Sequence, residues 1–218
     1  MGSIENPQIA VLINSPLDNA TFWLDRKFPD ASRYDLIILS GGKADASCSE
    51  PWVLGVLEYV RVTSRDFPRT KMLGICWGHQ AISRALGGQV RAISTGPIAA
   101  IEDIRLTQAG KKFFPFAASS GFYGAPEFHV REVATPAPGF VHLAEHHECF
   151  INEANNILTF QAHPGISTTL AKMLLEEDQE HSGNSSTEEL EREREIQKLE
   201  QPTDGGKLLT RVIEWLKE

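Results

Sequence analysis

The segment Gly74-Ile75-Cys76-Trp77-Gly78-His79-Gln80 sets one cysteine between two glycines. Leu73 and Ile75 before it suit a strand end. Ile82, Ala85 and Leu86 after it recur at helical spacing, and Gly87-Gly88 stops the helix. The flanking glycines let the backbone bend tightly without a Cβ clash. A cysteine on such an elbow stands at a helix N-terminus, where the dipole and free N–H groups favour thiolate and lower the thiol pKa. The same N–H groups can stabilise an oxyanion. This pattern points to nucleophilic attack on a carbonyl, with a base to take the thiol proton. His163, in Phe160-Gln161-Ala162-His163-Pro164, is the candidate base. By residue type alone, a small cysteine beside a strand and a histidine at a strand end are also ordinary structural residues.

The elbow resembles the nucleophile elbow of class I glutamine amidotransferases of the Cys-His-Glu type. Two further landmarks fall in that family's order: Tyr34 to Gly42, a strand followed by a glycine turn, and Phe160 to Pro164. The resemblance runs from about Gln8 to the final helix. Ser40-Gly41-Gly42-Lys43-Ala44-Asp45-Ala46, followed by Pro51-Trp52-Val53-Leu54, is most similar to stand-alone γ-glutamyl peptidase-like members. The resemblance implies a flavodoxin-like fold and a γ-glutamyl thioester on Cys76, with His163 as base and then acid. It implies an oxyanion hole from the backbone N–H groups of Gly42 and Trp77, and Gly41 and Gln80 at the glutamyl moiety. No CxxC or HxxxH spacing suggests zinc, and neither a cofactor nor a metal is expected. One departure is plain: the family's glutamate lies two residues after the histidine, and this chain has Gly165 there. Glycine can neither accept a bond from the imidazole nor fix its tautomer. Glu148, Glu145 and Ser167 are the candidate substitutes. His142, His146 and His147 gather near Glu145 and Glu148, which reads as a polar loop at the active-site rim, with a metal site as the alternative. His129 falls in the middle region of the chain.

Size and charge narrow the reading. With 218 residues the chain suits one domain, 1–218, and leaves no room for a fused synthase. Its partners are then a small γ-glutamyl substrate or, if it delivers ammonia, a separate synthase subunit. A net charge of −8 argues against nucleic acid or an anionic membrane as partner. No apolar run approaches membrane-helix length, no signal pattern opens the chain, and the expected location is cytoplasmic. Cys48, Cys76 and Cys149 are an odd, scattered set that suits a reducing compartment, with Cys48 and Cys149 as ordinary residues.

The elements that must position these residues follow from the apolar pattern. Ile9–Ile13 reads as a parallel strand buried on both faces, Tyr34–Leu39 as a second and Lys71–Ile75 as a third. Val53, Leu54, Leu57 and Val60 mark one face of an intervening helix. This alternation predicts an α/β, doubly wound, mostly parallel sheet, with the elbow and the Gly41-Gly42 turn at its carboxyl edge. The stretch from Ser15 to Arg33 is short for its family position. The middle region reads as a small antiparallel portion, with strands at Val130–Val133 and Phe140–Leu143 around Pro136-Ala137-Pro138-Gly139. Residues 157–162 then return to the core. A polar helical or loop insertion is expected near 177–203, with a capping box at Ser186 and Glu189 and a Glu188–Arg192 pair. A closing helix over 205–218 shows Leu208, Leu209, Val212, Ile213 and Leu216 on one face. The leading function is a cysteine-dependent hydrolase or transferase on a γ-glutamyl amide. The alternatives are a scaffold redirected to another Cys-His reaction in specialised metabolism, or a non-catalytic partner-binding protein.

Overall fold

The computed structural model describes residues 6–12, 28–171, 173 and 202–218. The expected insertion near 177–203, with its capping box and ion pair, and most of the stretch from Ser15 to Arg33 lie outside the described residues. Among the described residues, the central sheet has the order β1(Ile9–Leu12), β2(Leu36–Leu39), β3(Lys71–Ile75), β10(Ile157–Phe160), β9(Cys149–Asn152), β8(Phe140–His142). The first four run parallel, and β9 and β8 continue antiparallel. Two antiparallel pairs stand apart: β4(Gln89–Ala92) with β7(Arg131–Thr135), and β5(Ile98–Arg105) with β6(Phe122–His129). The flavodoxin-like, mostly parallel architecture with a small antiparallel portion is therefore present.

Because side chains alternate along a strand, the sheet feeds two cores. Leu36, Leu73, Leu158 and Phe160 face α4(Gly205–Lys217) through Leu208, Val212, Trp215 and Leu216. Ile37, Leu39, Met72 and Ile157 face α1(Pro51–Asp66) and α2(Trp77–Ala85) through Val53, Leu57, Val60, Trp77 and Ile82. A shorter helix, α3(Gln108–Phe113), is capped by the Thr107 hydroxyl, which accepts from Gly110 N.

The periodicity errs where it treats every apolar residue as core. β1 is an edge strand, so Ile9 and Val11 stand 45% and 55% exposed rather than buried on both faces. On α1, Leu54 is exposed and Val56 takes its place inside; on α4, Leu209 and Ile213 are exposed and Trp215 fills the core. A helix buries one stripe, and a partner surface decides which side chains at its margin are covered. The antiparallel β5–β6 pair, helix α3 and strand β9 are additions to the reading of the middle region.

Candidate active site

Three parallel strands end side by side, and each releases one part of the site. β2 leads into Gly41-Gly42, β3 into Cys76, and β10 through Gln161-Ala162 into His163. Cys76 has φ 51 and ψ −103, a left-handed conformation rare outside glycine. It is pinned by two bonds: its N–H donates to Phe160 O at 2.8 Å, and its carbonyl accepts from Gln80 N at 3.1 Å. The bend therefore falls on the cysteine itself. The glycines on either side serve close approach instead. A Cβ on Gly78 would sit 2.1 Å from the Leu39 carbonyl oxygen, and one on Gly74 would sit 2.8 Å from the Gly78 backbone. Gly87, at φ 105, ends the helix as expected.

Gly41 marks the meeting point of nucleophile and base. A Cβ built there would lie 2.7 Å from His163 Cε1 and 3.6 Å from Cys76 Cβ. These residues, with Gly42 and Gln80, line one cavity of about 740 Å³. Its remaining wall is largely apolar, with Ile75, Ile98, Ala99, Phe128, Val130 and Ile166. The Trp77 indole is packed away from it, stacked on Trp52, but the Trp77 backbone N–H donates to the Cys76 sulfur. Gln80 is buried; its amide donates to Arg131 O at 2.8 Å and to Gln161 Oε1 at 3.1 Å, tying α2 to β7 and to the end of β10. Arg84 clamps the loop after Gly42 by donating to the carbonyls of Ala46 and Cys48.

The electrostatics correct one expectation. The Cys76 thiol is pushed up to about 12, because burial outweighs the stabilising Trp77 N–H and the Gln161 side chain; Glu127 and Glu148 push it further up. Only 5% of Cys76 is exposed, so the helix N-terminus does not offset the loss of water. His163 is pulled down to about 4 by burial first and by His129 next, against the Glu127 carboxylate and the Phe128 carbonyl, which favour its protonated form. The resting pair is thus thiol and neutral imidazole.

Among the described residues, a Cβ at Gly165 meets no atom within 4 Å. Of the three expected substitutes, Glu145 is exposed, and the Ser167 hydroxyl accepts from Leu170 N at 3.3 Å. Glu148 turns inward, but toward Glu127. Glu127 is the residue that sequence reading missed. It is 3% exposed on β6, a strand with no motif of its own. An acid in the segment Pro126-Glu127-Phe128-His129 offers no signal until the strand is placed. Glu127, His129 and Glu148 bring their ligand-type atoms within 4.8 Å of one another, the group among the described residues that could hold a metal. The rim histidines do otherwise. His147 bonds the Val133 carbonyl at 2.8 Å, and His142 and His147 pack on Phe150. Cys48 and Cys149 are free thiols.

A cysteine turn after β3 and a histidine after β10 thus stand on the fold of class I glutamine amidotransferases. The chain belongs to the glutamine amidotransferase class-I family, whose model matches residues 2–180. It is 57% identical to the glutamine amidotransferase-like protein chyE of Penicillium rubens, over the full length of both chains. It is 27% identical to γ-glutamyl peptidase 2 of Arabidopsis thaliana, covering 65% of this chain and 58% of the relative. Its fold matches a glutamine amidotransferase from Thermotoga maritima with a TM-score of 0.67 at 16% identity, covering 98% of this chain and all of the other. No described helix is long and apolar enough to cross a membrane.

Proposed function

We propose that this protein is a cysteine-dependent hydrolase or transferase of γ-glutamyl amides, with a bulky apolar amine portion rather than ammonia as the leaving group. The observation that carries this reading is the cavity in which Cys76 and His163 meet at Gly41. Its size supports a substrate larger than glutamine. About 740 Å³ falls within the roughly 300–1,000 Å³ of pockets that hold drug-sized ligands, several times what a five-carbon amino acid fills. The apolar wall suits an aryl or alkyl amine. Family membership and the γ-glutamyl peptidase relative support the same chemistry.

The neutral resting pair suggests the order of events. As Cys76 Sγ attacks the γ-carbonyl carbon, its proton passes to the His163 ring, and the carbonyl oxygen becomes an oxyanion. The N–H groups of Trp77 and Gly42 are the proposed donors to that oxygen; one such donor is typically worth about 10²–10³ in rate. The imidazolium then protonates the leaving amine as the C–N bond breaks, giving a γ-glutamyl thioester. Water, or an acceptor amine, attacks the thioester with His163 as base, and glutamate or a new γ-glutamyl amide leaves while the thiol is restored. Gln80 and Gly41 are assigned to the wall that receives the glutamyl group.

The test compares L-glutamine with γ-glutamyl-p-nitroanilide. Release of p-nitroaniline with kcat/KM at least tenfold above that for glutamine is expected, with loss of both activities in Cys76→Ala. Glutamate release that persists unchanged in Cys76→Ala would overturn the mechanism, and a preference for glutamine would overturn the substrate class. Glycine at position 165, with no described atom within 4 Å of a Cβ there, favours one second reading, a scaffold redirected to another reaction. That reading predicts stoichiometric alkylation of Cys76 with no glutamate from any γ-glutamyl amide.

A further inference from the structure

We infer that Glu127, His129 and Glu148 form a binding site for one divalent transition-metal ion, zinc or an ion of similar size, beside the segment that leads to His163. The site stands apart from the chemistry proposed for Cys76 and His163. Glu127 and His129 alternate with Phe128 on β6, so their side chains leave the same face of the strand. Glu148 comes from the turn before β9. One nitrogen or oxygen of each lies within 4.8 Å of the others. The His129 and Glu127 side chains are only 2% and 4% exposed. Two carboxylate oxygens of this nest, Glu127 Oε1 and Glu148 Oε2, are buried with no hydrogen-bond partner among the described residues, which is uncommon in a folded protein. Among the described residues, no Lys or Arg pairs with either carboxylate.

The histidine is oriented as a ligand. Its Nδ1 lies 2.8 Å from the Arg131 carbonyl oxygen, so that nitrogen carries a proton and donates. The lone pair of the neutral ring is then on Nε2, which faces Glu127 Oε2 at 3.2 Å. Metal-binding histidines are held in this way, one ring nitrogen on a backbone carbonyl and the other toward the ion. A lone pair set against a carboxylate oxygen repels it unless positive charge lies between them. A proton on Nε2 joins those two atoms alone and leaves Glu127 Oε1 and Glu148 Oε2 without partners. A divalent ion neutralises both carboxylates and binds the imidazole together. The spacing fits as well. Zinc bonds of about 2.0–2.2 Å set tetrahedral ligands roughly 3.3–3.5 Å apart, close to the 3.2 Å between Nε2 and Oε2. Glu148 completes the set by closing a gap of at most 4.8 Å. One imidazole with two carboxylates favours zinc or a similar ion over calcium or magnesium, which take oxygen ligands.

Bound there, the ion fastens β6 to Glu148, and both of these hold the end of β10. Gln161 N donates to the Glu148 carbonyl at 2.8 Å, and His163 N donates to the Pro126 carbonyl at 2.8 Å. Phe128, between the two β6 ligands, sets its carbonyl 3.5 Å from Cys76 Sγ. The ion's role is therefore structural: it braces the wall against which the cysteine and histidine stand, and it takes no part in bond making. The sequence has no zinc-type spacing here because the third ligand belongs to a different segment from the other two.

The test is made on the full chain, stripped with EDTA and dialysed. Zn²⁺ uptake is counted by elemental analysis, Co²⁺ serves as an optical probe, and thermal unfolding is followed with and without Zn²⁺. One equivalent of Zn²⁺ is expected, with Tm raised by about 5 °C or more at a hundredfold excess over Kd. Glu148→Gln and His129→Ala should each weaken binding at least about tenfold and remove that rise. Cys76→Ser and His142→Ala should bind as the parent does. The Co²⁺ spectrum should show the d–d bands of a nitrogen and oxygen site, without thiolate charge transfer. The site is overturned by no stoichiometric uptake, by uptake unchanged in both ligand variants, or by uptake lost in Cys76→Ser or His142→Ala. If neither ligand variant folds, the ring ¹⁵N signal of His129 must move as Zn²⁺ binds the parent; an unmoved signal would also overturn the site. Every one of these readouts is independent of turnover, so metal binding and the proposed activity stand or fall separately.

Discussion

Substituting Gly41 by alanine probes the geometry on which the site depends. The added Cβ would stand 2.7 Å from His163 Cε1, while its distance to Cys76 Cβ, 3.6 Å, is ordinary contact. The imidazole must therefore withdraw by roughly 0.7 Å to regain van der Waals distance, and a displacement near 1 Å in a reacting pair costs on the order of 10² in rate. The ring borders a cavity and has room to move, so the fold should tolerate the change. Thermal unfolding of Gly41→Ala is expected within a few degrees of the parent, with kcat for p-nitroaniline release down about 10²-fold and KM changed far less. Gly41→Ala with full kcat would show that Cys76 and His163 do not act across this point. A large fall in melting temperature would show instead that Gly41 is a folding residue.

Gly78→Ala should be far more damaging than Gly41→Ala. Its Cβ meets backbone at 2.1 Å, so overpacking costs about 1–3 kcal/mol or more; urea unfolding checks this, and a neutral result would refute the packing of the elbow on β2. Trp215→Ala, which empties the core under α4 and loses the bond to Asn155 Oδ1 at 2.9 Å, should cost about 3–5 kcal/mol in the same assay. Acid should weaken the fold. The rings of His79 and His163 are pulled down from 6.5 to about 3 and about 4 by burial, so the unfolded chain binds their protons first. Their stabilisation is complete above pH 6.5 and lost as pH falls through the folded values. Glu148, raised in the fold above 4.5, runs the other way and offsets part of this loss. A net loss of stability as pH falls from 6.5 to 4.5 is expected from urea titrations; a flat profile would refute it, and His79→Gln should flatten it. Gly165→Glu alone sets its Cβ more than 4 Å from any described atom and should leave the unfolding midpoint unchanged while raising kcat; a fall in kcat would show that a carboxylate at this position disturbs the site.

Local sequence carried what local physics requires. A strand end, a cysteine turn, a helix and a glycine stop are contiguous, so the elbow at 74–88 was legible, as was the parallel sheet implied by three apolar runs. The edge position of β1 and the exposure of Leu54, Leu209 and Ile213 were not, because an apolar residue at the margin of a face is buried only if a neighbour covers it. The tight spacing at Gly74 and Gly78 reads in sequence as freedom to bend; the structure shows it to be a demand for contact between α2 and the sheet. The thiol's protonation likewise depended on burial, which no dipole argument supplies.

By itself, then, the sequence determined the alternating α/β order and the family, and it singled out the Cys76–His163 pair that the proposed chemistry uses, since each of those is written in short runs of neighbouring residues. The tertiary structure alone decided that Glu127, from β6, comes to lie beside Glu148. Pairing across the sheet edge brings together residues far apart along the chain, and no local pattern encodes that meeting.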